Sequence, residues 1–271
     1  MPRVIAIANQ KGGVGKTTTA VNLSACLGTI GKRVLLIDMD AQANCTSGLG
    51  HEKTPNASLY PVLLGERKLE NQIVKTEFEG ISLIPSEFDL CAAEVELARL
   101  SFETAGTKSQ KKSDRHLTWL KAALAPVTKR DDYDVLRLDC PPSLGKLTLS
   151  VLIAADGILI PLQCEYYPLE GISSITDLMD QLKTSGVNKG LELIGVLMTM
   201  FDSRTNLSRL VVGEVREHFG DKVFRTVIPR ATRVAEAPSH GKPILHYDPY
   251  SAGSASYEVA ALELVKRLGL D

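Results

Sequence analysis

The sequence predicts an α/β fold, a doubly wound and mostly parallel sheet with helices on both faces. Three observations predict it. Short, almost uniformly apolar runs alternate along the chain with longer segments of helical periodicity. Strands that are apolar at nearly every position are covered on both faces, as in a parallel sheet. A glycine-rich turn joins the first such run directly to a helical pattern, and the β-then-α order recurs to the C-terminus. In such a sheet a ligand sits at the carboxyl ends of the strands.

In chain order, residues 3–8 (RVIAIA) read as the first strand, rich in β-branched residues. Over 17–31, Ala20, Leu23, Leu27 and Ile30 recur at helical spacing. Gly28 and Gly31 end that pattern, with Lys32 and Arg33 just beyond. Residues 34–38 (VLLID) are the second strand, and later strands are expected at 81–85, 135–139, 157–162, 193–200 and 223–228. Helices are expected at 87–100, 116–127, 169–185, 206–219 and 254–268. The polar, basic stretch 104–115 (TAGTKSQKKSDR) reads as a flexible surface loop between two helices. There is no internal repeat or compositional break, so residues 1–271 are expected to form one domain.

Composition excludes several classes. With 31 basic and 32 acidic residues the net charge is −1, and 44% of residues are hydrophobic, so the chain is neither disordered nor fibrous. No apolar stretch approaches the roughly 20 residues that span a bilayer, and residues 1–10 lack the pattern of a secretory signal. Five scattered cysteines, with no Cys-x-x-Cys pair, read as free thiols in a reducing cytoplasm. Near-neutral charge rules out bulk attraction to nucleic acid while leaving room for a local basic patch.

Between the first strand and the first helix lies KGGVGKTT, residues 11–18. Gly12, Gly13, Val14 and Gly15 let the backbone wrap a phosphate chain with its N–H groups turned inward, and the helix N-terminus adds its positive end. Lys16 is placed to neutralise β- and γ-phosphate oxygens, the Thr17 hydroxyl to ligate Mg²⁺, and Thr18 completes the loop. The regular G-x-x-x-x-G-K-[ST] pattern is broken, because Gln10 stands where its first glycine belongs and a second lysine, Lys11, precedes the glycine pair.

KGGVGKTT followed by DMDAQAN (38–44), LDCPPSLG (138–145) and IPRATRVAEAPSHGKPI (228–244) resembles the ParA/MinD family of deviant Walker-A ATPases. The later blocks resemble its ParA/Soj branch, the chromosome- and plasmid-partitioning ATPases, and the motifs extend over nearly the whole chain. The resemblance implies a P-loop ATPase fold using ATP and Mg²⁺, with weak basal hydrolysis. It implies that Lys11 crosses the interface of a nucleotide-sandwich homodimer to touch the partner's phosphates. It implies that Asp40 positions or activates the hydrolytic water and that Asp139 is the Walker-B carboxylate; Asp38, closer to its strand, is expected to support the metal through water. Met200, Pro229 and Ala231 match positions that frame adenine. Two departures stand out: Arg137 interrupts an otherwise apolar strand (VLRLD), and Tyr250 stands where the branch more often carries a charge. A buried Arg137 calls for a carboxylate partner or a less covered strand face.

Regional charge bears on partners. Residues 201–245 hold eight basic and five acidic side chains, and residues 101–130 hold seven and two. A basic stripe doubled by dimerisation binds the DNA backbone without reading sequence. The resemblance points to Arg204 and Arg233, with Arg230 and Lys242 behind them, as DNA contacts. It also implies a ParB-like centromere-binding partner that stimulates hydrolysis, and a cytoplasmic, nucleoid-associated protein with no membrane partner. The main alternative, a MinD-like membrane-associated ATPase, requires a basic amphipathic C-terminal helix, whereas 254–268 reads as packed on the core. An iron–sulfur electron donor of the nitrogenase iron-protein type would need cluster cysteines such as Cys91 and Cys140. A tyrosine kinase of the polysaccharide-export type would need a tyrosine-rich tail, and Tyr247, Tyr250 and Tyr257 are spread through structured sequence.

Overall fold

Strands apolar on both faces form the centre of the molecule. The computed structural model describes residues 1–104, 115–165 and 168–270. The strands are β1 (Arg3–Ile7), β2 (Val34–Asp38), β3 (Val74–Lys75), β4 (Ile81–Ile84), β5 (Val135–Asp139), β6 (Gly157–Gln163), β7 (Glu192–Phe201) and β8 (Val223–Pro229). They make one sheet in the order β3-β4-β2-β5-β1-β6-β7-β8. Every neighbouring pair is parallel except β3 with β4. The seven expected strands are found within a residue of their expected bounds; the two-residue edge strand β3 is additional. β1 lies between β5 and β6, where the winding reverses, so the crevice of a doubly wound sheet opens at its carboxyl end.

The helices are α1 (Lys16–Thr29), α2 (Asn44–Gly48), α3 (Tyr60–Leu63), α4 (Ala92–Thr104), α5 (Arg115–Thr128) and α6 (Lys146–Ala154). After them come α7 (Pro168–Thr184), α8 (Asn206–Phe219), α9 (Thr232–Glu236), α10 (Ile244–Tyr247) and α11 (Ala252–Leu268). Successive strand residues point to opposite faces, and the core divides accordingly. Ala6, Leu35, Leu138 and Ile158 pack under α4 to α8. Ile5, Ile7, Val135 and Leu159 pack under α1 and α11. Gly28 is expected as a helix end, yet it lies inside α1. A Cβ there would overlap the Glu79 carbonyl oxygen, so its role is close packing on the turn before β4. The chain leaves α1 at Gly31, in the left-handed region. The loop expected at 104–115 lies, for residues 105–114, outside the described residues. No helix among the described residues is long and apolar enough to cross a membrane.

Two further features depart from expectation. Helix α6 (KLTLSVLIA) is apolar almost throughout and buried on nearly every side, so it carries no amphipathic period to read. Arg137 resolves in neither expected way. It is 0% exposed and donates to Ser24 Oγ (3.3 Å), while its Nε and Nη2 have no hydrogen-bond partner among the described residues. The cause is α1, which lays Ser24 across that face of β5, with Tyr257 of α11 nearby. Burial pushes the guanidinium pKa down to about 10, so it still carries its charge at neutral pH.

Candidate active site

The loop after β1 is held from both sides. Asn9 donates from Nδ2 to the Pro161 carbonyl (2.9 Å) and accepts the Lys11 N–H on Oδ1 (3.0 Å), which pins the loop to β6. Thr199, near the end of β7, donates from Oγ1 to the Val14 carbonyl (2.8 Å). Gly13 (φ 74°) and Gly15 (φ 89°) take the left-handed backbone that this turn requires. A Cβ on Gly13 would meet nothing within 4 Å, so the loop is open on that side. Gly12 approaches the Pro142 ring, which closes the rim toward the loop after β5. Helix α1 starts at Lys16 with no capping side chain and no acidic residue in its first turn, through Thr17 and Thr18. Its leading N–H groups are therefore suited to an anion. Lys16 is 7% exposed and donates from Nζ to the Lys11 carbonyl (3.0 Å). Burial lowers its pKa, with Asp139, Cys140 and Asp40 acting in the opposite direction.

The carboxylates stand opposite this bowl. Asp38 and Asp139 are register partners across β2 and β5, and both are fully buried. Asp38 is already engaged: Oδ2 accepts from Thr46 N (2.8 Å) and Thr46 Oγ1 (2.7 Å), and Oδ1 accepts from Asp40 N (3.1 Å). Thr46 Oγ1 in turn accepts from Ser86 N (2.8 Å). Burial still raises the Asp38 pKa to about 6. Asp139 differs, because neither of its oxygens finds a well-formed hydrogen bond among the described residues. Burial, and then the neighbouring Asp38, raise its pKa well above the carboxylate range, while Thr17 and Lys16 favour its charged form. Two orphaned buried oxygens beside a helix-start hydroxyl fit a hydrated divalent cation, held from Thr17 and Asp139. Asp38 has less to offer a metal directly, since its oxygens are taken up by Thr46 and Asp40. Asp40 is half-buried and accepts the Gln42 N–H on Oδ1 (2.9 Å), a turn that fixes its orientation at the rim.

Beside the loop is a cavity of about 240 Å³, lined by Gly15, Thr18, Met200, Pro229, Ala231 and Tyr257 among others. All three residues expected to frame a base meet here. Met200 takes a left-handed φ of 53°, rare for a side chain of its size. Arg230 also lines this cavity, and its N–H binds the Phe201 carbonyl (2.9 Å), joining the ends of β7 and β8. Its guanidinium reaches Glu165 (3.1 Å), and Glu165 in turn faces Lys11 Nζ at 4.0 Å. Sequence reasoning missed Glu165, Thr199 and Thr46. The available signal was position alone, as Glu165 and Thr199 lie where β6 and β7 end on the crevice side.

The remaining basic residues follow the carboxyl ends of β7 and β8, on the same side of the sheet as the loop. Arg204 is exposed and grips Asp202 with Nε (2.9 Å) and Nη2 (2.8 Å), holding that carboxyl down to about 2. Arg233, in α9, pairs with Glu236 (3.2 Å) and Asp248 (3.7 Å) and lies over the Tyr247 ring. Lys242 is exposed just before α10.

A family model described as an AAA domain matches residues 2–193. The chain is 46% identical over 266 residues to the chromosome partitioning protein ParA of Caulobacter vibrioides, covering 98% of this chain and 94% of that protein. It is 47% identical over 270 residues to the sporulation initiation inhibitor protein Soj of Bacillus subtilis, covering 99% and 98%. Among solved structures, cobyrinic acid a,c-diamide synthase from Mycobacterium smegmatis, with bound ADP and magnesium, matches with a TM-score of 0.80 at 35% identity. That match covers 99% of this chain and 96% of the other. Identity near one half along nearly the full length of both partitioning proteins decides the kinship: the chain belongs to the ParA/Soj family of chromosome-partitioning ATPases.

Proposed function

We propose that this protein is an ATP-dependent dimerisation switch for chromosome or plasmid partition. In this reading its ATP-bound dimer binds DNA without sequence preference, and hydrolysis releases it. The observation that carries the reading is the contrast between two lysines of one loop. Lys16 is nearly buried and folds over the loop's own carbonyl, as a lysine serving the chain's own nucleotide would. The Lys11 side chain is 51% exposed and faces Glu165 at the far reach of an ion pair, so it is available to reach another subunit's ligand.

The residues act as follows. The loop amides and Lys16 hold the triphosphate, and Met200, Pro229 and Ala231 enclose the base. Thr17 and Asp139 would hold magnesium, with Asp38 keeping Asp40 in register through the Asp40 N–H. Magnesium, when bound, would supply neutralisation of phosphate charge. Asp40 orients the attacking water at the rim, which is sufficient because phosphoryl transfer depends mainly on positioning and charge neutralisation. Arg204, Arg233 and Lys242 present cations for the DNA backbone, with Arg230 nearest the nucleotide. A ParB-like partner supplies the stimulation of hydrolysis, and the protein works on the nucleoid in the cytoplasm. The names of the two partitioning relatives and the ADP and magnesium in the Mycobacterium smegmatis structure support this reading. So does α11, whose Tyr257, Ala261 and Leu264 are buried in the core.

The test is light scattering of Asp40→Ala with ATP or ADP, alone and with nonspecific duplex DNA. The expected result is a doubled mass with ATP only, retained on DNA, while Lys11→Ala in the same background binds ATP as a single subunit. A single subunit in ATP at high protein concentration would overturn the switch.

A further inference from the structure

We propose that Glu165 is a positioning residue that holds Lys11 back, so that dimerisation has a threshold. The inference rests on the reading of Lys11 as the lysine that crosses between subunits. Glu165 lies just past β6, the strand beside β1, and its carboxylate joins three elements. Oε2 faces Lys11 Nζ at 4.0 Å. Oε1 accepts from Arg230 Nη2 at 3.1 Å and from the amide of Gln163, the last residue of β6. The carboxylate is therefore anchored by neighbours that do not depend on Lys11, and it offers the lysine a fixed resting place. Arg230 also lines the base cavity, so one anion touches both the phosphate loop and the wall of the base site.

Crossing to a partner's phosphates obliges Lys11 to leave Glu165. A triphosphate carries more charge than one carboxylate, so the exchange is favourable once ATP stands opposite, and the cost of leaving sets where dimerisation begins. Both side chains of the Lys11–Glu165 pair are about half exposed. Such pairs are modest in strength and screened by salt, so the contact tunes a midpoint and does not act as a lock.

The experiment uses the full chain in the Asp40→Ala background, with Mg²⁺ and ATP. Sedimentation gives the monomer–dimer midpoint, and a fluorescent ATP analogue gives the affinity of the monomer. For Glu165→Gln, the expected dimer dissociation constant falls roughly two- to five-fold, with monomer affinity for the analogue unchanged. Glu165→Asp, which keeps the charge, should restore the parental midpoint. The gap between parent and Glu165→Gln should close at high ionic strength, a response that a purely structural role would not give. Unchanged or weaker dimerisation of Glu165→Gln, beside a parent that dimerises normally, would overturn the proposal while leaving the role of Lys11 intact. So would a gap that persists in high salt. A parent that never dimerises would overturn the reading of Lys11, and the holding contact with it. Melting curves of each variant establish that it is folded.

Discussion

Arg137 brings a positive charge into the middle of the sheet, two residues before Asp139, and leaves two of its donors unanswered among the described residues. A cation removed from water without a paired carboxylate is a net cost to stability. Its single bond, to Ser24 Oγ, is dispensable to Ser24, whose hydroxyl already donates to the Ala20 carbonyl (2.7 Å). Arg137→Met keeps most of the side-chain volume and removes the charge. The nucleotide-free protein should therefore gain about 1–3 kcal/mol, read as a higher urea midpoint with unchanged slope. A lower midpoint would mean that the Ser24 bond and the nearby Asp139 carboxyl group outweigh desolvation. The anomaly was legible in the sequence, since an arginine in an apolar strand stands out. Its resolution was not, because only packing reveals that α1 and α11 cover that face.

At the scale of elements, legibility followed sequence distance. The strand, loop and helix around Lys11 to Thr18 are contiguous, so glycine placement and apolar period announce them together. Helix α6 has no such local signature, and even its N-terminal cap comes from elsewhere. Gly145 caps nothing itself. Glu94 of α4 accepts from Lys146 N (2.9 Å) and Leu147 N (3.0 Å) instead. A Cβ on Gly145 would overlap that carboxylate, so the glycine is what admits it. The same blindness hid Glu165, whose partners Lys11 and Arg230 arrive from the ends of other strands. Glu94→Ala removes a two-bond cap from a helix end, a loss of about 1–2 kcal/mol. For a chain of this size that is a fall in Tm of roughly 2–8 °C. Amide exchange at Lys146 and Leu147 should quicken more than exchange at the end of α6. A uniform quickening along the chain would point to global destabilisation and not to the cap.

At the scale of the whole molecule, the parallel sheet sends the phosphate loop, Asp40, Arg204 and Arg233 to one end, because each follows the carboxyl end of a strand. In the proposed reading, a face-to-face dimer formed at that end would bring two copies of each basic residue into one assembly, and a chain of charge −1 would then hold a polyanion locally. Arg233 is the more demanding test of this arrangement, since it already pairs with Glu236 and Asp248. Arg233→Glu places a third carboxylate among these two and should weaken DNA retention strongly at unchanged ATP-driven dimerisation. Arg233→Gln separates charge from architecture: it leaves α9 and α10 unrepelled and removes only the cation. If Arg233 meets a phosphate in each subunit, the Gln variant should lower the slope of log affinity against log salt by about 2 per dimer. Binding measured across a salt series decides between the roles. A parallel loss of dimer and DNA in both variants would make Arg233 a structural clamp on Tyr247, whereas a lost slope with an intact dimer makes it a phosphate contact.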